Sequence, residues 1–505
     1  MIRRDLAAAP ASRAIEVGAA AALIVGVMAF IQFSGPAILD NDGYYHIRWA
    51  AMLRESAPRL PAFTHLPLTT VNERDYADHH FLFHVLLMPF TYGDLRTGAK
   101  LAAAVFSSIG LASLFALLVG YRIPYRWLWL APLVASSEPF LYRMAMTRAP
   151  GLALAMLGGG SYLILKRKLL LVGLLSFAFT WLYSLFPLIL AFALAHAVAV
   201  YLAERRVDLW AAAASLSGIV LGLVINPYFP RNLVLFVEHL RMKVAADYSV
   251  PVGVEWYPYD TWVILQGSVA AFLIFFVALA AFDYRSRLRD IKPLFFLIVS
   301  SMLLLMAFKS RRFIEYWPPF AVTFAAFTLR GRIDRLKRTR LLHARDQVIA
   351  AAAASLIVVG LSVAGAMSIL QARHDVQTEA DPFAYRGASE WLASNTEPGT
   401  RVFNTDWDDF PMLFYYNSRN EYVAGLDPTY LYDSDPELWK LYARITLGEE
   451  PSPARLITDG FGARYVFTDN EHGAFLKIAE ESGEFETVYS DVHATVLRIR
   501  AHERR

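Results

Sequence analysis

Apolar segments dominate the first 370 residues of this 505-residue chain. A run of roughly 17 to 25 apolar residues is long enough to cross a bilayer as a helix, and a bilayer permits few other folds. The candidate segments are 14–34, 98–120, 126–137, 150–165, 169–182, 184–203, 209–226, 262–283, 292–308, 313–329 and 348–370. Hydrophobic residues make up 56% of the sequence, more than is usual for a water-soluble protein. The sequence therefore predicts an α-helical polytopic membrane protein with about eleven transmembrane helices.

Basic residues near the ends of these segments predict how the chain is oriented. Lysine and arginine concentrate on the cytoplasmic side of membrane proteins. With eleven spans, the basic groups at 3–13, 166–168, 205–206, 285–292 and 330–345 all fall on one side. The first segment lacks a small-residue cleavage pattern, so we expect it to be retained rather than removed as a signal peptide. We therefore expect a bacterial or archaeal cytoplasmic membrane protein with a cytoplasmic N-terminus and with loops 35–97 and 226–261 outside.

The composition changes at about residue 371. Residues 371–505 carry 24 acidic and 13 basic residues, a net charge of −11, whereas the rest of the chain carries +14. The pattern of this segment predicts helices over 385–394, 410–416 and 475–481 and strands over 401–404 and 465–468. We therefore divide the chain into a transmembrane domain, 1–370, and a small extracytoplasmic α/β domain, 371–505. The sequence has no cysteine, which excludes a disulfide framework and a thiolate metal site. It also lacks the aromatic and basic stripe of a nucleic-acid-binding protein.

An acidic turn, Asp-Asn-Asp-Gly at 40–43, follows the first apolar segment directly. Charge beside a membrane segment is costly unless it binds an ion or takes part in chemistry. Asp40 and Asp42 around a tight turn can direct two oxygens toward a divalent cation or a substrate hydroxyl. The alternative is a solvated turn in which Asp42 is the N-cap of a helix over Tyr44–Glu55.

A histidine-rich segment follows in the same outer loop, with Asp78, His79, His80 and His84. If the segment is helical, His80 and His84 share one face because they are four residues apart. Together with Asp78 they could bind a metal or transfer a proton. The alternative is an amphipathic interfacial helix whose imidazoles bond to the backbone or to water.

Two groups of basic residues lie on the side that the orientation rule leaves poor in positive charge. They are Arg143 and Arg148 in one group and Lys309, Arg311 and Arg312 in the other. An anionic ligand would explain them, and a phosphate or pyrophosphate on a lipid carrier matches guanidinium and ammonium groups. The alternatives are interfacial anchors and, for the second group, a local ion pair with Glu315.

Two further acidic motifs lie in the predicted outer parts of the chain. Glu255 stands among aromatic residues and prolines near the end of loop 226–261, where the alternative interpretation is an aromatic belt with a solvated glutamate. Trp407, Asp408 and Asp409 follow a predicted strand. Their alternative role is a strand-to-helix turn in which Asp408 or Asp409 caps the helix over 410–416.

Together, these motifs resemble those of GT-C membrane glycosyltransferases, and above all those of oligosaccharyltransferase catalytic subunits. The segment 41–44 is similar to the family's first-loop motif, in which the aspartate binds the metal and the acceptor. The segments 254–256 and 261–262 are similar to the Ser/Thr-x-x-Glu element, and 407–410 resembles a degenerate Trp-Trp-Asp-Tyr-Gly motif. The family's second acidic motif has no counterpart, because 143–150 contain no aspartate.

The resemblance implies a GT-C-like fold and an inverting glycosyltransferase. The enzyme would transfer a sugar or a glycan from a polyprenyl phosphate or pyrophosphate carrier to a protein, glycan or lipid acceptor on the extracytoplasmic face. Its catalytic residues would be Asp42, Asp40 and Glu255. The other implied roles are Asp42 and Glu255 as ligands of Mg²⁺ or Mn²⁺; His79, His80 and Asp78 in proton transfer or metal binding; Lys309, Arg311, Arg312, Arg143 and Arg148 at the lipid phosphate; and Trp407, Asp408 and Asp409 at the acceptor.

The alternative functions are a transporter or non-catalytic lipid-binding membrane protein, and a sensor whose outer domain binds a ligand. The two halves show no inverted repeat, and the charges cluster at the predicted outer surface rather than at mid-bilayer depth, which favours the enzyme over the transporter. A sensor would leave the acidic first-loop motif unexplained. A structure discriminates among these functions by showing whether Asp42, Glu255 and Arg312 share one cavity.

Overall fold

The computed structural model describes residues 10–244, 253–284, 290–338 and 344–500. Some of the basic residues used to predict orientation, those at 3–4, 285–289 and 339–343, lie outside the described residues. The same holds for the part of the second outer loop over 245–252 and for the C-terminal residues 501–505.

Helices form most of the described chain before residue 380. They are α1 (Pro10–Gln32), α2 (Asp42–Ser56), α3 (Phe81–Leu87), α4 (Leu95–Gly120), α5 (Arg126–Ala135), α6 (Glu138–Ala145), α7 (Pro150–Leu165), α8 (Leu169–Leu182), α9 (Pro187–Glu204), α10 (Trp210–Val224), α11 (Arg231–Val244), α12 (Thr261–Gly267), α13 (Val269–Ala281), α14 (Ile291–Lys309), α15 (Trp317–Arg338) and α16 (Ala344–Thr378). Short 3₁₀-helices cover Met88–Thr91, Val254–Trp256 and Arg311–Glu315.

A helix lies at each of the eleven predicted positions, and the eighth position is divided into α12 and α13, which meet at an angle of 78°. Among the described residues, five helices are long and apolar enough to cross a membrane, or six if this bent pair is one span. The five are α1, α4, α9, α14 and the part of α16 over Ser355–Thr378. Helices α7, α8 and α10 are apolar but shorter. The total of eleven spans stays a prediction.

Close packing of α4 against α7 fixes the segment that precedes α7. A Cβ atom at Gly110 would lie 2.3 Å from the backbone oxygen of Gly151, and one at Gly151 would lie 2.7 Å from the backbone nitrogen of Ser107. Small residues at such crossings let two backbones approach and pack, which is the usual source of helix association in a membrane. Because α7 begins at Pro150, this contact also fixes the segment just before it, which carries Arg148.

A five-stranded sheet with surrounding helices forms the C-terminal part, which confirms the small sheet predicted there. The strands are β1 (Arg401–Asn404), β2 (Glu421–Tyr422), β3 (Tyr465–Asp469), β4 (Phe485–Ser490) and β5 (Ala494–Ile499), in the order β2-β1-β3-β5-β4. Strands β2, β1 and β3 are parallel, and β5 pairs antiparallel with both β3 and β4. The domain boundary at 370/371 stays a prediction, and α16 continues across it to Thr378.

The helices of this part are α17 (Arg386–Asn395), α18 (Phe410–Tyr416), α19 (Pro428–Ser434), α20 (Pro436–Thr446), α21 (Pro453–Phe461) and α22 (Gly473–Ser482), with a 3₁₀-helix over Trp407–Asp409. Two of them begin with an Asp-Pro pair. Asp427 accepts from the backbone N–H of Thr429, and Asp435 accepts from those of Glu437 and Leu438. An aspartate N-cap followed by proline is a strong helix start, because proline lacks the N–H that would otherwise be unpaired.

An aromatic core joins α2 and the first outer loop to the C-terminal part. Tyr45 belongs to α2 and Phe63 to the loop after it, and Phe410 and Phe414 belong to α18. The ring of Tyr45 lies 5.7 Å from that of Phe414, and the ring of Phe63 lies 6.2 Å from it. The loop that carries the acidic turn is therefore held between the helical bundle and the sheet.

Candidate active site

A cavity of about 480 Å³ lies where loops 35–97 and 226–261 and the C-terminal part meet. The residues that line it include an unusual number of charged and titratable groups. These are Asp42, His46, Asp78, His79, His80, His84, Arg148, Glu255, Lys309, Arg312 and Asp427. The proposed discriminator is therefore met, because Asp42, Glu255 and Arg312 share one cavity.

The acidic turn brings Asp42 into this cavity at the first residue of α2. The helix begins at Asp42 instead of Tyr44, and Asn41 occupies the N-cap position without a side-chain hydrogen bond. The predicted capping role of Asp42 is therefore wrong, and its carboxylate instead pairs with Arg148, with Oδ2 2.8 Å from Nη2. A carboxylate in the first turn of a helix is also stabilised by the helix dipole.

Asp40 shares the same arginine from a strained position. Its φ is +73°, a left-handed conformation that aspartate tolerates better than most residues, and its Oδ2 lies 3.5 Å from Arg148 Nη1. Burial raises the pKa of Asp40 to about 7, although Arg148 opposes the rise. Asp40 does not line the cavity, so it acts on the site through Arg148.

Glu255 lies among three arginines. Its Oε2 is 2.9 Å from Arg148 Nη1 and 3.3 Å from Arg143 Nη2, and its Oε1 pairs with Arg312. The backbone oxygen of Glu255 also accepts from Ser310 Oγ over 2.8 Å. The side chain is 15% exposed, so this is a partly desolvated anion in a cationic pocket, where ion pairs are stronger than at a surface.

A second carboxylate, that of Glu315, holds Arg143 in position. Glu315 is fully buried, and its Oε1 accepts from Arg143 Nε over 2.6 Å. The predicted ion pair between Glu315 and the second basic group is therefore replaced by a pair with the first group. A buried guanidinium that is anchored in this way keeps its position when a ligand arrives, because moving it would leave Glu315 unpaired.

Only part of the basic group at 309–312 faces the cavity. Lys309 and Arg312 line the cavity, and the guanidinium of Arg312 stacks 3.9 Å above the ring of Trp256. Arg311 lies outside the cavity. Its Nε donates to the backbone oxygen of Pro258 over 3.3 Å, and its guanidinium lies 5.1 Å from the ring centre of Tyr259.

The histidine-rich segment forms a buried hydrogen-bonded chain. Asp78 Oδ2 lies 2.7 Å from His84 Nδ1 and also accepts from the indole nitrogen of Trp49 over 3.1 Å. His84 Nε2 lies 2.8 Å from Nδ1 of His46, a residue of α2 that the sequence analysis did not select. The available signal was its spacing of four from Asp42, which places both on one helix face.

The remaining histidines differ from the prediction of a shared helix face. Helix α3 begins at Phe81, and His80 precedes it as the N-cap residue, with its ring stacked on Tyr183. The backbone N–H of His80 donates to Asp78 Oδ1 over 2.9 Å. Burial lowers the pKa values of His46 and His80 well below the ordinary value, so both rings are neutral at pH 7.

The carboxylates predicted to bind Mg²⁺ or Mn²⁺ do not fit a divalent cation in this arrangement. Asp42 and Glu255 both pair with Arg148, so a guanidinium stands between the two groups that would be ligands. Within the described ranges, no group of three His, Asp or Glu side chains has the geometry of a metal site. The carboxylates of Asp42 and Glu255 therefore pair with Arg148 where the resemblance implies a metal.

The tryptophan–aspartate motif lies beside the acidic turn but outside the cavity lining. Asn41 Nδ2 donates to the backbone oxygen of Asp408 over 2.7 Å, and burial with Asp42 nearby raises the pKa of Asp408 to about 6. Trp407 packs against the core of the C-terminal part. Asp409 occupies the N-cap position of α18 without a capping hydrogen bond, so the predicted side-chain cap is wrong.

Two residues of the C-terminal part that the sequence analysis missed, Asp427 and Tyr430, do line the cavity. Burial raises the pKa of Asp427 above its ordinary value. The Asp-Pro pair at 427–428 predicts a helix start, and nothing in it indicates which loop faces the membrane domain.

Comparison with solved structures shows which fold this is. The archaeal oligosaccharyltransferase AglB from Archaeoglobus fulgidus, solved with an inhibitory peptide and a dolichol-phosphate, superposes with a TM-score of 0.65 at 14% identity, covering 94% of this chain and 72% of that one. The chain has a GT-C fold. ArnT from Cupriavidus metallidurans bound to undecaprenyl phosphate gives a TM-score of 0.58 at 14% identity, covering 97% of this chain and 98% of ArnT. Its apo structure gives 0.57 at 14% identity, with 96% and 98% covered.

These comparisons confirm the resemblance to GT-C membrane enzymes that the sequence motifs indicated. No family model matches the chain, and no curated protein matches it in sequence. At 14% identity the likeness establishes the fold alone, because one fold hosts many chemistries.

Proposed function

We propose that this chain is a membrane glycosyltransferase that takes a sugar or glycan from a polyprenyl phosphate or pyrophosphate carrier and transfers it to an acceptor on the extracytoplasmic face. The observation that carries this proposal is the shared cavity, in which a carboxylate at a helix start, Asp42, faces the arginines around Glu255. Two solved structures with the same fold were determined with polyprenyl-type phosphates, dolichol-phosphate and undecaprenyl phosphate.

The phosphate of the donor would bind to Arg312, Arg148 and Lys309. Guanidinium groups bind phosphate oxygens bidentately, and an ammonium adds a point charge. As the sugar leaves, negative charge develops on the phosphate, and cations already fixed in a partly dry cavity stabilise that charge without reorganisation. Arg143 supports this arrangement because Glu315 anchors it beneath the cavity.

Glu255 marks the position of the anion in this proposal. Its carboxylate pairs with the three arginines, and a phosphate that entered the cavity would compete for the same guanidinium groups. Donor binding would therefore displace Glu255 from at least Arg312. The displaced carboxylate would lie beside the sugar, in agreement with the catalytic role that the resemblance implies for it.

Asp42 would orient the acceptor. It lies next to Asp408, and Asn41 ties the turn to the C-terminal part, so an acceptor group that reaches Asp42 passes between the two parts of the chain. The reaction would then be a displacement at the anomeric carbon, with the acceptor on the Asp42 side and the phosphate on the Arg312 side. Such a placement of the two groups gives inversion at that carbon.

The experiment that tests the proposal measures turnover by the purified full chain with radiolabelled sugars on undecaprenyl phosphate and undecaprenyl pyrophosphate. Membrane extracts supply acceptors, and slow hydrolysis is followed in their absence. Arg312→Gln should lower turnover by about 100-fold or more, because one charge-stabilising donor is lost. Arg311→Gln is the matched control, since this neighbouring arginine points away from the cavity, and it should keep wild-type turnover.

Binding of undecaprenyl phosphate, measured in the same detergent, separates the enzyme from its alternative. Binding without turnover of any donor would support the non-catalytic lipid-binding protein. Equal losses in Arg311→Gln and Arg312→Gln would show that the general positive charge matters rather than the cavity, and would contradict the proposed phosphate site.

A further inference from the structure

A chain of hydrogen bonds through Asp78, His84 and His46 lies along the cavity. It begins at a buried carboxylate that also accepts from Trp49, and passes through two imidazoles at 2.7 and 2.8 Å. His46 is the last member and lines the cavity, and only 5% of its surface is exposed. Asp78 and His84 line the same cavity, so the whole chain of hydrogen bonds lies where the donor and acceptor would meet.

The chemistry of the three groups fixes the orientation of the protons. Burial opposes ionisation of Asp78, yet the neighbouring His84 holds the pKa of this carboxyl below its ordinary value, so it is a carboxylate and only accepts. His84 Nδ1 therefore donates to Asp78, and its Nε2 accepts when that ring carries a single proton. His46 Nδ1 donates to it, and the remaining ring nitrogen of His46, Nε2, is then an unprotonated acceptor.

Burial and the groups that face His46 keep its ring neutral, so it is able to accept a proton. His46 and Asp42 lie one turn apart on α2, and the other charged or titratable neighbours are Arg148, His79, His80 and His84. Asp42 is engaged by Arg148, whose Nη2 lies 2.8 Å from Asp42 Oδ2. A proton on His46 would be stabilised through His84 by the charge of Asp78, although no direct ion pair forms.

We propose that His46 accepts the proton of the attacking hydroxyl in the glycosyl transfer, and that His84 and Asp78 are positioning residues that fix its tautomer; this inference rests on the proposed function. In that step the hydroxyl oxygen forms a bond to the anomeric carbon. The bond from that carbon to the phosphate oxygen breaks, and its electron pair stays on the phosphate. The hydroxyl proton moves to His46 Nε2 and is later released to water.

The experiment compares His46→Ala with His65→Ala in the purified full chain. His65 is also a buried histidine, but it bonds to the backbone oxygen of Ser418 away from the cavity lining, so it controls for loss of stability. Hydrolysis of undecaprenyl-phosphate-linked sugar, with water as the acceptor, is the turnover assay, and binding of undecaprenyl phosphate is measured beside it. His46→Ala should lose about 100-fold or more in turnover, the usual contribution of a general base, and keep its lipid affinity within about twofold.

Two readouts distinguish a proton acceptor from a structural residue. Free imidazole added to His46→Ala should restore turnover at least about tenfold, because it can enter the emptied cavity and take the proton. Asp78→Asn removes the negative charge that stabilises a proton on His46 through His84. His46 then becomes less basic, so the acid limb of the turnover–pH profile should move to lower pH. The pH of half-maximal turnover in His65→Ala should stay that of the wild type.

The outcomes also separate this inference from the function on which it rests. If the wild type turns over and His46→Ala is unaffected, the role of His46 is overturned and the glycosyltransferase stands. The same holds if imidazole does not restore the loss in His46→Ala and Asp78→Asn does not move the pH profile. Absence of turnover in the wild type would overturn both.

Discussion

Arg148 is the residue that organises the site. It pairs with Asp42 and Glu255 and lies 3.5 Å from Asp40, so one guanidinium connects the acidic turn to the second outer loop. The resemblance to the family implies an aspartate in this region as part of its second acidic motif. Residues 143–150 contain no aspartate and carry two arginines instead. The positive charge that a metal would bring to Asp42 and Glu255 is thus supplied by the chain.

This arrangement predicts that turnover does not require a divalent metal. We expect the rate in excess EDTA to stay within about twofold of the rate with added Mg²⁺ or Mn²⁺, because the carboxylates already have a cation. Arg148→Gln, in contrast, should abolish turnover and destabilise the protein by roughly 3 to 5 kcal/mol, since it leaves partly buried carboxylates without their partner. The measurements are turnover in matched buffers and thermal unfolding in detergent. Loss of turnover in EDTA that Mn²⁺ restores would contradict the prediction.

The sequence predicts several of the side chains that enter the site, but it does not predict which partners they pair with. Charge beside apolar segments singles out Asp42 and Arg312, the resemblance adds Glu255, and all three line the cavity. Their pairing could not be predicted, because Arg143 and Glu315 are 172 positions apart and only the packing of the helices decides which carboxylate an arginine meets. His46 was missed although its spacing of four from Asp42 places both residues on one face of α2.

Helix α2 controls the position of both Asp42 and His46, and Gly43 lets it begin where it does. A Cβ atom at Gly43 would lie 2.6 Å from Ile38 Cγ2 and 3.3 Å from Thr147 Cβ. The first turn of α2 is therefore pressed against the residue next to Arg148. A larger residue here would require the side chain of Ile38 or Thr147 to move.

Gly43→Ala should therefore reduce turnover by displacing Asp42 from Arg148. We expect a cost of roughly 1 to 3 kcal/mol in stability from the crowding, and a loss of turnover larger than the fraction of unfolded protein explains. Gly26→Ala is the control, because a Cβ there meets nothing within 4 Å and α1 carries no site residue. Turnover and thermal unfolding are measured on both variants. Wild-type turnover in Gly43→Ala would show that the contact with Thr147 does not position the site.

At the scale of elements, apolar length predicted the helices and tertiary contacts decided their breaks. All eleven predicted segments contain a helix because long apolar runs next to lipid have to satisfy their backbone internally. The 78° bend between α12 and α13 was not predicted. There Ser268 Oγ lies 2.8 Å from Ser137 Oγ, and the backbone N–H of Ala271 donates to Ser136, so another part of the chain provides partners for the interrupted helix.

For the whole molecule, the C-terminal part matters because it completes the cavity and fixes α2. Asp427 and Tyr430 line the cavity, and Phe414 of α18 packs against Tyr45 of α2. The sequence predicted an α/β unit from its composition and strands. Its docking was not predictable, because the aromatic side chains of the shared core come from segments that are distant in sequence.

This docking predicts different effects for two buried phenylalanines of the C-terminal part. Phe414 belongs to the core shared with α2, whereas Phe475 packs inside the C-terminal part against Phe485, and neither is exposed. Replacing either by alanine should cost roughly 3 to 5 kcal/mol, the usual range for a buried phenylalanine. Only Phe414→Ala should also lower turnover at temperatures well below unfolding, because the cavity it leaves lies against the helix that carries Asp42 and His46.

Thermal unfolding in detergent, followed by turnover at a temperature where both variants are folded, separates these effects. If docking positions the site, Phe475→Ala keeps wild-type turnover while Phe414→Ala loses about tenfold or more, since small displacements of reacting groups have large effects on rate. Equal turnover in both folded variants would mean that α2 keeps its place through the helical bundle alone. The C-terminal part would then supply cavity residues such as Asp427 without positioning the helix opposite them.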